Sequence, residues 1–138
     1  MIRGKSAHKL QTVMLIDDET LWLDLIQEAL ADEEYQVITA SSGEAALKKL
    51  QRKKPDLILS DVRMPDLNGF DLFEKVRSNP KLKSVPYVFM SSIDDYDARR
   101  TARKLGADDY LEKPFDAEGI KSIVLDLLMR FQQERSKE

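Results

Sequence analysis

A doubly wound α/β domain built on one five-stranded parallel sheet is the fold that this sequence predicts. Three observations lead there. Short apolar runs alternate with stretches of helical period from Thr12 to Phe131, and strands joined by helical crossovers lie parallel. The central run, Leu57-Ile58-Leu59 between Pro55 and Pro65, is apolar without interruption, as suits a strand buried on both faces. Four of the runs end in polar groups, at Asp17-Asp18, Asp61, Ser91-Ser92 and Glu112-Lys113.

Taken in order, residues 1–11 are polar and read as a tail. The tail carries His8, the only histidine, which is a poor catalytic candidate in such a place. Thr12 to Ile16 is the first buried strand and ends abruptly in Asp17-Asp18-Glu19. Trp22, Leu25, Ile26, Ala29 and Leu30 form the stripe of an amphipathic helix. Tyr35 to Ala40 is a second strand, and Ser41 with Glu44 spells a capping box that opens a helix to about Lys53. The central strand ends at Asp61, and a turn with Pro65, Asn68 and Gly69 leads into a helix from Gly69 to Arg77, ahead of Asn79-Pro80.

Tyr87 to Met90 is the fourth strand, followed by a helix over Tyr96 to Leu105 that Gly106 closes in a C′ position. Tyr110-Leu111 lies in a short fifth strand. Asp116 caps the last helix, whose apolar face is Ile120, Ile123, Val124, Leu127, Leu128 and Phe131. From Gln132 onward nothing is apolar. One domain over 12–131 is expected, with the tail 1–11 before it and a polar extension 132–138 after it.

Composition narrows the function classes. At 138 residues, 42% hydrophobic and 34% charged, the chain is of a size and make-up to bury one core. The 22 Lys and Arg against 25 Asp and Glu leave a net charge of -3, which argues against a direct nucleic-acid surface. Without cysteine there is neither a disulfide framework nor a thiolate metal site. The apolar runs are far shorter than the ~18 residues of a membrane span, and no secretory signal is visible, so a cytoplasmic location is expected.

Parallel strands present their carboxyl ends at one edge, so topology gathers Asp17, Asp18, Asp61, Ser91 and Lys113. Three converging carboxylates repel one another unless a cation joins them, and oxygen ligands suit Mg²⁺. Lys113 and Ser91 add an ammonium and a hydroxyl, both fitted to a phosphoryl oxygen. A carboxylate beside such groups is equipped to accept a phosphoryl group.

The same residues resemble a known family. Asp17-Asp18 after the first strand, Asp61 before Val62-Arg63-Met64-Pro65, Ser91 after the fourth, and Gly106-Ala107-Asp108-Asp109-Tyr110-Leu111-Glu112-Lys113-Pro114-Phe115 look like the receiver domain of bacterial two-component response regulators. The resemblance runs from about Val13 to Phe131. It implies a flavodoxin-like (CheY-like) three-layer α/β/α sandwich and an aspartyl phosphate on Asp61, formed from a phosphohistidine donor. It implies Mg²⁺ held by Asp18, Asp61 and the backbone carbonyl of Arg63, with Asp17 acting mainly through a water. Ser91 and Lys113 would hold the phosphoryl group, and Lys113-Pro114 would be a cis peptide bond. Tyr110 matches an aromatic that packs inward when Ser91 moves, so Ser91 and Tyr110 would form the switch.

Two departures from the family pattern stand out. Ser91-Ser92 offers two hydroxyls where the family has one followed by Ala or Gly; spacing from Asp61 favours Ser91. Arg63, two residues past the acceptor, occupies a variable position that leaves the phosphoryl lifetime open.

Expected partners are a sensor histidine kinase or phosphotransfer protein, and an effector or output domain on the face of the fourth helix, fifth strand and fifth helix. A homodimer pairing Arg99, Arg100 or Arg103 with Asp108 or Asp109 of a second copy is a further expectation. The chain would not be an enzyme beyond catalysing its own phosphorylation and dephosphorylation. The rival readings are a haloacid dehalogenase-like phosphatase, whose Asp-X-Asp motif differs from the adjacent aspartates here, a receiver cut from a larger regulator or hybrid histidine kinase, and a degenerate receiver that is never phosphorylated.

Overall fold

A computed structural model of the chain describes residues 11–31 and 33–136, with side chains described up to 132. His8 and all of the tail but Gln11 lie outside the described residues. The elements are β1 (Gln11–Ile16), α1 (Thr20–Ala29), β2 (Tyr35–Ala40), α2 (Gly43–Leu50), β3 (Leu57–Asp61), α3 (Gly69–Ser78), β4 (Tyr87–Ser92), α4 (Tyr96–Leu105), β5 (Asp109–Lys113) and α5 (Ala117–Ser136). The five strands form one sheet in the order β2-β1-β3-β4-β5, every neighbouring pair parallel.

Alternation along the strands sorts their side chains between two cores. Met14, Ile16, Ile58, Tyr87 and Phe89 face α2, α3 and α4 and pack with Ala46, Leu72, Phe73, Val76, Ala98 and Ala102. Val13, Leu15, Leu57, Leu59, Val88 and Met90 face the other way, against Leu23 and Ile26 of α1 and Ile120, Val124 and Leu127 of α5. The sheet is thus covered on both sides, which is why β1, β3 and β4 read as unbroken apolar runs.

Three expectations are corrected in detail. Ser42, not Ser41, caps α2: it has extended dihedrals, and its Oγ accepts the Ala45 N–H at 3.0 Å. Because the helix begins at Gly43, Ser42 is the residue whose hydroxyl reaches the free N–H groups, and the Ser41–Glu44 box does not form. That helix also stops at Leu50, short of Lys53. In α1 the buried face is Leu23, Ile26, Ala29 and Leu30, while Trp22 and Leu25 are only half-buried. Trp22 packs at the rim of the sheet instead, its ring 4.9 Å from that of Phe115. Finally, β4 runs on through Ser91 and Ser92, which pair with Glu112 and Lys113, while β5 ends at Lys113 as expected.

The connection from α3 through β4 to β5 is tied by one side chain. Arg77 donates through Nη1 to the Val85 carbonyl and through Nη2 to Asp108 Oδ2, both at 2.8 Å, and its guanidinium lies 4.8 Å from the centre of the Phe73 ring. Asp108 Oδ2 also accepts the Tyr87 N–H at 2.8 Å. Arg77→Met keeps the stem and removes the fork, so a loss of about 1.5 kcal/mol is expected, above the usual value of an exposed ion pair. Urea unfolding would measure it, and an unchanged midpoint would refute the role given to Arg77.

Candidate functional site

The strand order reverses between β1 and β3, and doubly wound sheets bind ligands at the crevice that such a reversal opens at the carboxyl ends. Ile16 pairs with Ser60, so the next residues, Asp17 and Asp61, stand side by side. One carboxylate oxygen from each of Asp17, Asp18 and Asp61 lies within 4.8 Å of the others. Asp17 is fully buried, Asp61 is 6% exposed, and Asp18 opens to solvent.

Lys113, at the end of β5, reaches across the crevice. Its Nζ donates to Asp17 Oδ2 at 2.6 Å and to Asp61 Oδ1 at 3.4 Å. Burial works against the ammonium, but the bond to Asp17 and the charge of Asp61 outweigh it and hold Lys113 above its ordinary value. One lysine does not balance three acids. Burial first, and then the Asp17 charge, push Asp61 up to about 7 despite Lys113. The donor set of clustered carboxylates with a deficit of positive charge fits a hard divalent cation. Lys113 Nζ also lies 5.0 Å from the centre of the Trp22 ring, which places the only tryptophan of the chain at the site.

The loop from β3 to α3 closes the crevice beside Asp61. Val62 donates to the Met90 carbonyl at 3.1 Å and Gly69 to the Val62 carbonyl at 3.0 Å. Asn68 caps α3 by accepting the Asp71 N–H at 2.9 Å. The Lys113-Pro114 bond is cis, as the resemblance implied.

The predicted residues are brought to one edge, but Ser91 is turned to a partner that sequence reasoning missed. Its hydroxyl donates to Asp95 Oδ2 at 3.0 Å, while Ser92 donates to Asp94 at 2.9 Å. Ser91 is buried and Ser92 exposed, which separates the two hydroxyls that the sequence left adjacent. Asp95 also accepts both arms of the Arg63 guanidinium, Nε and Nη2, at 2.9 Å each. Hydrogen bonding from Arg63 lowers Asp95 to about 2. An aspartate directly before Tyr96 could have been read as a helix cap; its bond to Arg63, across 32 residues, has no local signature.

Tyr110 is half-buried and packs against the core on the α4 side. Its hydroxyl is buried next to Ser91 and meets no partner in good hydrogen-bond geometry among the described residues. Ser91 lies beside it but gives its single hydrogen to Asp95.

Fold and site together define a class: a doubly wound domain with an acidic pocket, a central aspartate and one lysine at the switch point. The model of the response regulator receiver domain matches residues 13–125, and the chain belongs to that family, the receiver domains of two-component systems. It is 36% identical over 118 residues to the alkaline phosphatase synthesis transcriptional regulatory protein PhoP of Bacillus subtilis, covering 86% of this chain and 48% of that protein. The chain spans about half the length of the curated relatives it matches.

Among solved structures, chemotaxis protein CheY4 of Vibrio cholerae is similar with a TM-score of 0.77 and 30% identity, over 89% of this chain and 99% of that one. NtrX of Brucella abortus gives a TM-score of 0.84 at 25% identity, over 93% of this chain and 29% of that one. Family membership sets aside the haloacid dehalogenase alternative. Among the described residues no helix is long and apolar enough to cross a membrane.

Proposed function

We propose that the chain is a phosphorylation-dependent switch in which Asp61 accepts a phosphoryl group from a phosphohistidine. A carboxylate oxygen of Asp61 attacks phosphorus, the P–N bond breaks, and its electron pair returns to the imidazole. Lys113, within 3.4 Å of Asp61, neutralises the charge that builds on the transferring group. Asp17, Asp18 and Asp61, with the Arg63 carbonyl, would hold Mg²⁺, which would supply further positive charge to the site. The observation that carries this reading is the buried Asp61 at the end of the central strand, with Asp17, Asp18 and Lys113 around it.

The chain then acts as a single-turnover acceptor, not as an enzyme on other substrates. The donor is a sensor histidine kinase or phosphotransfer protein of the same compartment, the cytoplasm. Its output is a changed α4–β5–α5 face, through Ser91 and Tyr110, read by an effector protein or an output domain. Asp108 and Asp109, the acids expected to meet a second copy on that face, already pair within the chain, with Arg77 at 2.8 Å and Arg130 at 3.2 Å.

Incubation with Mg²⁺ and acetyl phosphate, followed by intact-mass measurement, is expected to show one added phosphoryl group. The gain should disappear in Asp61→Asn and when Mg²⁺ is chelated. Sustained turnover of a generic phosphomonoester, or no mass gain at all, would sink the reading.

A further inference from the structure

Ser91, at the end of β4, and Arg63, two residues past Asp61, both donate to one carboxylate outside the acidic pocket. Asp95 Oδ2 takes the Ser91 hydroxyl at 3.0 Å and Arg63 Nε at 2.9 Å; Oδ1 takes Arg63 Nη2 at 2.9 Å and the Ala98 N–H at 3.1 Å. Capping α4 explains only the last of these bonds. An N-cap needs one side-chain oxygen, and asparagine serves as well as aspartate. The other three contacts join the loop two residues past Asp61 to the end of β4.

We propose that Asp95 is a positioning residue that holds the Ser91 hydroxyl and the Arg63 guanidinium away from Asp61 in the resting chain, so that a phosphoryl group on Asp61 has to win both donors from it. This rests on the receiver reading given above. The competition is exclusive at Ser91, because a serine hydroxyl has one hydrogen to donate. It is charge-weighted at Arg63, whose fork suits carboxylate and phosphoryl oxygens alike. A phosphoryl group carries about −1.5 to −2 charges against the single one of Asp95, so the exchange favours the phosphorylated side.

Departure of the two donors leaves the Asp95 side chain bonded to α4 alone. The chemistry at Asp61 is thereby transmitted to the first turn of α4, a helix whose later positions carry the basic residues Arg99, Arg100, Arg103 and Lys104. The hold is modest, since the Arg63 side chain is 62% exposed and such pairs are weak.

The test is a titration of the full chain with beryllofluoride, a stable mimic of the phosphoryl group, in the presence of Mg²⁺, read by the fluorescence of Trp22. Asp95→Asn keeps an oxygen for the Ala98 N–H and removes the acceptor for Ser91 and the charge for Arg63. It is expected to bind beryllofluoride about fivefold more tightly than the unaltered chain, with little change in melting temperature. Asp95→Ala, which also loses the cap, should melt lower and still bind more tightly, a combination that a merely structural residue would not give. Equal or weaker binding by Asp95→Asn, with the unaltered chain binding normally, overturns the proposal alone. An unaltered chain that takes up no beryllofluoride overturns the proposed phosphoryl acceptance at Asp61, and the role of Asp95 falls with it.

Discussion

Gly69→Ala is expected to destabilise the fold by about 2 kcal/mol, the closest backbone approach among the described glycines being here. A Cβ at this position would overlap the carbonyl oxygen of Asp61 and lie 3.1 Å from Val62 Cα. Both are backbone atoms, so no side chain can swing away to make room. The residue is also pinned from two sides, its N–H on the Val62 carbonyl at 3.0 Å and its own carbonyl under the Tyr87 hydroxyl at 3.1 Å. Alanine gains at most ~1 kcal/mol of helix propensity over glycine. Overpacking against backbone costs ~1–3 kcal/mol and displaces the start of α3 from β3. Urea unfolding should show the loss, and phosphoryl uptake should slow with it. A midpoint equal to that of the unaltered chain would mean that the close approach of α3 to β3 is not needed.

Asp61→Asn should have the opposite sign at alkaline pH. The folded state raises the Asp61 carboxyl from 3.8 to about 7, chiefly through burial and the Asp17 charge. The protonated form is therefore favoured by folding. Its contribution to stability is fully present below the unfolded value of 3.8 and is lost as pH rises through about 7. With divalent ions chelated at pH 8, the variant is expected to be more stable than the unaltered chain by about 2 kcal/mol. Near pH 4 the difference should nearly vanish. Added Mg²⁺ at pH 8 should raise the melting temperature of the unaltered chain more than that of the variant. A variant that melts lower than the unaltered chain at pH 8 without metal would show that Asp61 is not electrostatically frustrated in the folded pocket.

Much of this architecture is legible in the chain because parallel strands covered on both faces leave an unmistakable pattern. Val13 to Ile16, Leu57 to Leu59 and Tyr87 to Met90 are apolar at every position since each side chain meets one of the two cores. The acidic pocket is legible for a related reason. Once the strands are parallel, residues that follow them, such as Asp17, Asp61 and Lys113, share one edge whatever the details of packing.

What local reading gets wrong depends on choices made at a distance. Ser41 and Ser42 are chemically the same, and which one caps α2 is decided by where the chain leaves β2. In α1 Leu23 is buried while Trp22 sits at the rim against Phe115 and Lys113, neighbours that lie far away in sequence. Asp109 to Lys113 is a strand of mostly polar residues because ladder hydrogen bonds are made by backbone, which side-chain periodicity does not report. The bonds from Ser91 and Arg63 to Asp95 are invisible for a similar reason. Each residue type has many uses on a surface, and only the folded chain brings the three together.

The central claim is that the side chain of Asp61, and no other, takes on the phosphoryl group. Borohydride reduces an acyl phosphate to the alcohol, so treatment after incubation with acetyl phosphate and Mg²⁺ converts a phosphorylated aspartate to homoserine. Peptide mapping of the product is expected to find homoserine at position 61 alone, with Asp17 and Asp18 unchanged. Homoserine at either of those positions, or an unreduced Asp61 in a chain that has gained phosphoryl mass, would contradict it.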